Sequence, residues 1–450
     1  MARKRKTKEH PRVVVAGAGL AGLTAARQLE ALGAEIIIVE ARDRVGGRVH
    51  TLRHGFAEGQ HAEAGADLIE EEQEAVLQLA KELNLEPVKI LRGGWGFYGT
   101  SKSGARKVRR AVDTFERAAA RLRPEIAAYK GAESRWDSAV AQLLARESVA
   151  SWIERARVDR ELAAGVRGLR GFFLADADDL SLLPLVEQFA SGDMPGAGRM
   201  YRLRNGNDAL PAGIAQALRG RILLNTAVRR VSQTSSGVRV AIDDGRLHEV
   251  RADYAIVAMP ASTAKDVRFS PALADAQRRA IATLRYGNAT RIVLQFERRF
   301  WKRLGRPIAY GSDRPTGAVW DGNEQQSKKP GILSLLAGGD ASREVRRIVA
   351  KGGWNGLIRH LTWLGRPSRL LAAASYTWER DRWAKGGYAV FDPEFDPALR
   401  SWLARPHGRV VFAGEHTSMR WQGYMNGAVE SGRRAAIEVA AMAGLEIRPA

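Results

Sequence analysis

The sequence predicts an α/β protein of two domains, one wound around a parallel sheet and the other a mixed α+β layer. Three observations carry this. Val13-Val14-Val15 is a β-branched run leading straight into Gly17, Gly19 and Gly22. A second strand and glycine turn, Val410 to Gly414, closes the chain together with Trp421 to Ala428. At 450 residues the chain is longer than one hydrophobic core usually serves.

Val13 to Val15 reads as a buried parallel strand, and the Gly17-Ala18-Gly19-Leu20-Ala21-Gly22 turn opens a helix. Gly17 permits the tight turn, Gly19 lets backbone approach a pyrophosphate, and Gly22 lets helix and strand lie close. Phosphates then meet free N–H groups at a helix N-terminus. The helix runs through Leu23, Ala26, Leu29 and Leu32 and stops at Gly33. Ile36 to Val39 is the next strand, ending at Glu40, 18 residues beyond Gly22. That is close to the roughly 20 expected for an acid that holds a ribose hydroxyl. Arg42, Arg44 and the Val45-Gly46-Gly47-Arg48 loop bring more backbone and a bidentate cation to a polyanion, which suits FAD better than NAD.

Glu63 to Ile69 is a short glycine-bearing stretch before an amphipathic helix, Ala75 to Leu83. Glu70, Glu71 and Glu72 between them read either as a charged helix start or as an acidic rim that attracts a cationic substrate. His50, His54 and His61 share no helical face and have no ligand partner at metal spacing, so no metal site is expected. Lys102 to Phe189 is helical in character. Asn205-Gly206-Asn207 is a turn before another helix, and Ile222–Leu224, Val228–Val231, Val238–Ile242 and Val250–Val257 read as a meander over the dinucleotide domain. Tyr254 to Met259 brings the chain back to the main sheet. Thr290 to Phe296 is the core of another strand system, and Pro307 to Pro397 is expected to form sheet and loops around a pocket. The expected division is a tail over 1–10, a cofactor domain of 11–88, 203–283 and 404–450, and a substrate domain of 89–202 and 284–403.

Composition narrows the chemistry. The chain has no cysteine, which excludes disulfides, thiolate zinc sites, iron–sulfur clusters and a cysteinyl flavin link. Its net charge of +21 comes from arginines dispersed along the whole length, so it reads as solvated surface and specific nucleic-acid binding is not expected. No run of about 18 uncharged apolar residues occurs, so no membrane span is expected and a cytoplasmic protein is. A homodimer is left open.

Beyond these features the sequence resembles the flavin-containing amine oxidases, the group that includes monoamine and polyamine oxidases. The likeness rests on the N-terminal glycines with Glu40 and Gly46-Gly47-Arg48, on Trp378 with Trp383-Ala384-Lys385-Gly386-Gly387-Tyr388, and on Phe412 to Thr417 with Trp421 to Ala428. It implies non-covalent FAD held by Gly17, Gly19, Gly22, Glu40, Arg42, Gly47, Arg48, Val228, Trp383, Gly414, Glu415 and Met425. It places Tyr388 and Tyr424 as facing rings above the flavin, Gly387 where covalent members carry the linking Cys, Arg291 where most members place a lysine near flavin N5, and Glu70 where plant polyamine oxidases carry an acid at the pocket mouth. The implied reaction oxidises an amine to an imine, with O2 reduced to hydrogen peroxide and hydrolysis to an aldehyde. An L-amino-acid oxidase or a flavin desaturase or dehydrogenase on the same fold is the alternative, and a flavin-bearing nucleic-acid or chromatin factor a remote one.

Overall fold

A computed structural model describes residues 10–100, 106–191 and 198–446. The basic stretch Met1 to Lys8 lies outside the described residues. Strand Arg12–Ala16 forms the centre of a five-stranded parallel sheet. Its valines are fully buried, as expected of a strand covered on both faces. Across the sheet the order is Arg221–Leu223, Glu35–Val39, Arg12–Ala16, Tyr254–Val257 and Val410–Phe412. Every pairing is parallel, so the carboxyl ends of all five strands share one edge, where such sheets bind ligands. Helices Leu20–Ala31 and Met425–Ala443 cover one face together, and Gly432 lies so near the Ala21 carbonyl that no larger residue fits. The first helix ends as its sequence indicates, with Gly33 at φ +91°.

Two strand assignments need correction. Ile222 to Leu224 was expected in the meander, but Arg221–Leu223 is the outer strand of the parallel sheet, paired with Glu35–Val39. Val250 to Val257 is two strands, parted at Asp253. Leu247–Ala252 belongs to a four-stranded sheet with Val238–Asp243, Ala227–Gln233 and Arg268–Ser270. Tyr254–Val257 returns to the parallel sheet. Asp253 makes the switch: its carboxylate accepts the Arg12 N–H at 2.9 Å and its own N–H donates to the Arg12 carbonyl at 2.8 Å, so the chain leaves it in register with the first strand.

The second layer is a seven-stranded sheet ordered Leu370–Thr377, Ala289–Phe296, Gly331–Gly338, Ala318–Asp321, Ala309–Ser312, Trp95–Thr100 and Arg106–Arg110. The helical layer expected from Lys102 therefore begins only at Ala111. Arg106–Arg110 is one of the two edge strands, and charged residues are common on edges, so its composition hid its conformation. Pro307 to Pro397 supplies sheet and loops as expected, but also an unforeseen 19-residue helix, Asp340–Ile358. Its apolar pattern is interrupted by Gly353 at φ +58°, which breaks the 3.6-residue period.

Candidate active site

One cavity of about 1020 Å³ reaches from the carboxyl edge of the parallel sheet to residues of the seven-stranded sheet. Gly17 and Gly19 line its first end. Gly17 sits at φ +110°, a conformation that glycine adopts without strain. Gly19 is the N-cap of helix Leu20–Ala31 and has no side-chain cap, and a Cβ built on it would meet nothing within 4 Å. The first turn of that helix is thus open to an anion. Gly22 is not on the wall. It lies behind the turn, against Gly17, Val15 and Ala258, and keeps helix and strand together.

Glu40, 6% exposed, braces this turn by accepting the Ala18 N–H at 2.8 Å and the Arg42 N–H at 2.9 Å. Burial raises its pKa in spite of these two bonds and the neighbouring Arg42 and Arg44 charges. The Arg42 guanidinium grips Asp381 with both terminal nitrogens, at 2.6 and 2.7 Å. Asp381 also accepts from Tyr376 and from the Trp383 N–H, so Arg42 ties the first loop to the Trp378–Tyr388 segment. Arg48 does the same further along, donating to Glu415 at 2.7 Å and to the Gly387 carbonyl at 2.9 Å. Burial pushes the Glu415 carboxyl up, but the Arg48 charge and hydrogen bond and the Gly423 N–H hold it below its usual range. Val228, Trp383, Gly47, Gly414 and Met425 line the same cavity.

At the other end stand Arg291, Tyr388 and Tyr424, brought together from strand Ala289–Phe296, the loop before strand Ala389–Val390, and the N-cap of helix Met425–Ala443. The Tyr388 ring rests against Gly423, its hydroxyl donates to the Phe172 carbonyl, and burial raises its pKa. The Tyr424 ring stands edge-on to Trp421 at 5.6 Å. Arg291 is 5% exposed on a strand buried throughout, a costly position for a charge without partners. The partners are Gly65 O at 2.9 Å, Ser334 Oγ at 3.1 Å and the Asp67 carboxylate at 3.7 Å, with the Trp320 ring 4.5 Å beneath the guanidinium. Burial lowers the Arg291 pKa and the Asp67 charge opposes that.

Glu70 also lines the cavity, from strand Ile69–Glu70. The helix after it begins at Glu74 with Gln73 as N-cap, so Glu70 to Glu72 precede that helix and do not form its first turn. Asp67, Arg202, Glu63 and Asp381 join the site only in the folded chain. Only Arg42 with Asp381 had a sequence signal, since each flanks a named motif. Among the described residues no helix is long and apolar enough to cross a membrane.

The family model described as flavin containing amine oxidoreductase matches residues 20–440. A Mycobacterium tuberculosis protein named as flavin-containing monoamine oxidase AofH is 31% identical over 96% of this chain and 96% of its own. The flavin-dependent L-tryptophan oxidase RebO of Lentzea aerocolonigenes is 29% identical, covering 94% of this chain and 96% of its own. Among solved structures, cyclohexylamine oxidase from Brevibacterium oxydans IH-35A superposes with a TM-score of 0.83 at 24% identity, over 96% of this chain and 99% of that one. Putrescine oxidase bound to putrescine gives 0.82 at 23% identity with the same coverage. At those identities the two structures show a shared fold.

Proposed function

The chain belongs to the flavin-containing amine oxidoreductase family, and from that premise we propose that its substrate is an amine with a bulky apolar body and that O2 is its electron acceptor. The cavity fits the family's FAD. Gly17, Gly19 and the helix that follows would take the pyrophosphate and Glu40 a ribose hydroxyl. Val228 would lie by the adenine, and Arg48, Glu415 and Met425 would hold the flavin end, with Arg42, Gly47, Trp383 and Gly414 shaping the walls. FAD, when bound, accepts a hydride equivalent from the carbon next to nitrogen. The protein's part is to bring a neutral amine to it between the faces of Tyr388 and Tyr424 and to exclude water.

The observation that carries the substrate reading is the wall beyond Arg291. Trp95 packs edge-on to Phe172 at 4.9 Å and tilted to Trp320 at 6.2 Å, and Phe97 and Leu336 complete an apolar chamber. A carboxylate-bearing substrate would need a cation, and among the described residues the two buried arginines of the cavity wall are already paired, Arg291 with Asp67 and Arg400 with Glu187 at 3.0 Å, while Arg420 beside Trp421 is exposed at the wall. This favours an amine over an amino acid. Peroxide release is the test: phenethylamine should give a kcat/KM at least tenfold above phenylalanine, and equal or better turnover of the amino acid would overturn the reading.

Glu70 on the wall favours a second, narrower reading in which a distal ammonium extends toward it. Glu70→Gln should raise KM for a diamine several-fold and leave an apolar monoamine unaffected; equal effects on both would remove Glu70 from substrate binding. The oxygen step falls to Arg291, whose fixed charge suits an anion developing on O2. In Arg291→Met, stopped-flow reoxidation of the reduced enzyme should slow at least tenfold, and an unchanged rate would refute the role. Gly387 and the lack of cysteine rule out a cysteinyl link and support FAD bound without a covalent tether. Acid precipitation should therefore leave the flavin in the supernatant, and a yellow pellet would contradict this.

A further inference from the structure

Three chain segments remote in sequence converge on one carboxylate that the reaction as described does not use. Asp67 lies in the loop after strand Ala62–Glu63, on the cavity wall, with its side chain 3% exposed. Its Oδ1 accepts Arg202 Nε at 2.6 Å, and its Oδ2 accepts the Trp320 indole N–H at 2.8 Å and lies 3.7 Å from Arg291 Nη1. Arg202 is fully buried on strand Met200–Leu203 and donates also to Gln325 at 2.8 Å. Arg291 and Trp320 come from two further strands, and both face the cavity.

We propose that Asp67 is a positioning residue for the reaction chamber, fixing the Arg291 guanidinium and the Trp320 ring in one arrangement; this rests on the reading of Arg291 as the cation of the oxygen step. Two buried guanidiniums need a counter-charge, and this one carboxylate lies within ion-pair distance of both. The Arg202 bond holds the carboxylate from behind, so its other oxygen presents a fixed acceptor to Trp320. Trp320 in turn gives Arg291 a ring face to lie on. The remaining Arg291 bonds, to Gly65 O and Ser334 Oγ, carry no charge, and its Nε is buried with no partner among the described residues. Without the Asp67 charge no other carboxylate among the described residues pairs with Arg291, and the guanidinium is free to turn toward water in the cavity.

The test is a double-mutant cycle on the holoenzyme, with the flavin reduced by dithionite so that the oxygen step is read without any amine. Asp67→Asn keeps the shape and an acceptor but removes the charge. It should slow reoxidation about as much as Arg291→Met, roughly tenfold. In the Arg291→Met background it should add less than twofold. Asp67→Asn/Arg202→Met serves where the single variant folds poorly, since it removes the orphaned Arg202 charge as well, and it should show the same slow reoxidation. A purely structural Asp67 would lower the melting temperature while reoxidation stayed at the wild-type rate, or would slow it equally in both backgrounds. Either result overturns the proposal. Because no substrate enters the measurement, a wrong amine assignment leaves its outcome unaffected.

Discussion

Gly22→Ala is expected to yield a colourless protein. A Cβ at this position would fall deep inside van der Waals contact with the Gly17 carbonyl oxygen and press on Ala258 and Val15. The first of these is backbone of the very turn that opens on the cavity, so no side-chain rotation relieves the clash. Gly17 is already at φ +110°, and its N–H is bound to the Val39 carbonyl at 2.8 Å, which leaves the turn little room to retreat. The alternative is for helix Leu20–Ala31 to move away from the first strand, which withdraws its N-terminus from the phosphates and disturbs its packing on helix Met425–Ala443. Purified Gly22→Ala should carry less than a tenth of the wild-type flavin per chain. A yellow variant with wild-type flavin content would mean that the turn is softer than its contacts indicate.

The second large effect is on stability. Glu63 is fully buried, and that burial, reinforced by the Asp67 carboxylate, raises its pKa from 4.5 to about 8. It accepts from Thr51 Oγ at 2.8 Å and from the Asn207 N–H at 2.9 Å, which reduces the shift without cancelling it. The folded protein thus keeps a proton on Glu63 up to about pH 8, whereas the unfolded chain releases it near pH 4.5. Between those values the folded state holds more protons, so raising the pH favours unfolding. Integrated over the window, the effect is up to roughly 5 kcal/mol. Glu63→Gln removes the titration and keeps the Asn207 bond through its amide oxygen, while its NH2 donates to Thr51 Oγ where the carboxyl accepted. The urea midpoint of the wild type should therefore fall relative to Glu63→Gln as the pH rises from 5 to 8, and parallel profiles would show that Glu63 does not titrate in this way.

The sequence reveals the cofactor end of the site more fully than the chamber end, for a physical reason. A dinucleotide turn is local: Gly17, Gly19, Gly22 and Glu40 act within one strand–helix–strand unit, so their spacing alone states their geometry. Tyr388, Tyr424 and Arg291 sit in motifs whose meaning came by resemblance, and the structure places all three on one cavity. Asp67, by contrast, meets Arg202 and Trp320 only through the tertiary fold, and nothing near it in sequence marks a buried counter-ion. Misread elements follow the same rule. Three residues, Arg221 to Leu223, are enough to form a strand but too few to indicate which sheet they join. Asp340–Ile358 hid behind Gly352 and Gly353, since a periodic pattern cannot be followed across a break in the helix.

Flavin reduction in the absence of oxygen separates an amine-oxidising from an amino-acid-oxidising enzyme in one measurement. The purified protein should be yellow, excess phenethylamine added anaerobically should bleach its flavin absorbance, and air should restore the colour with one hydrogen peroxide released per flavin. A flavin that stays oxidised under a panel of arylalkyl amines and diamines, but is bleached by amino acids, would contradict the amine assignment.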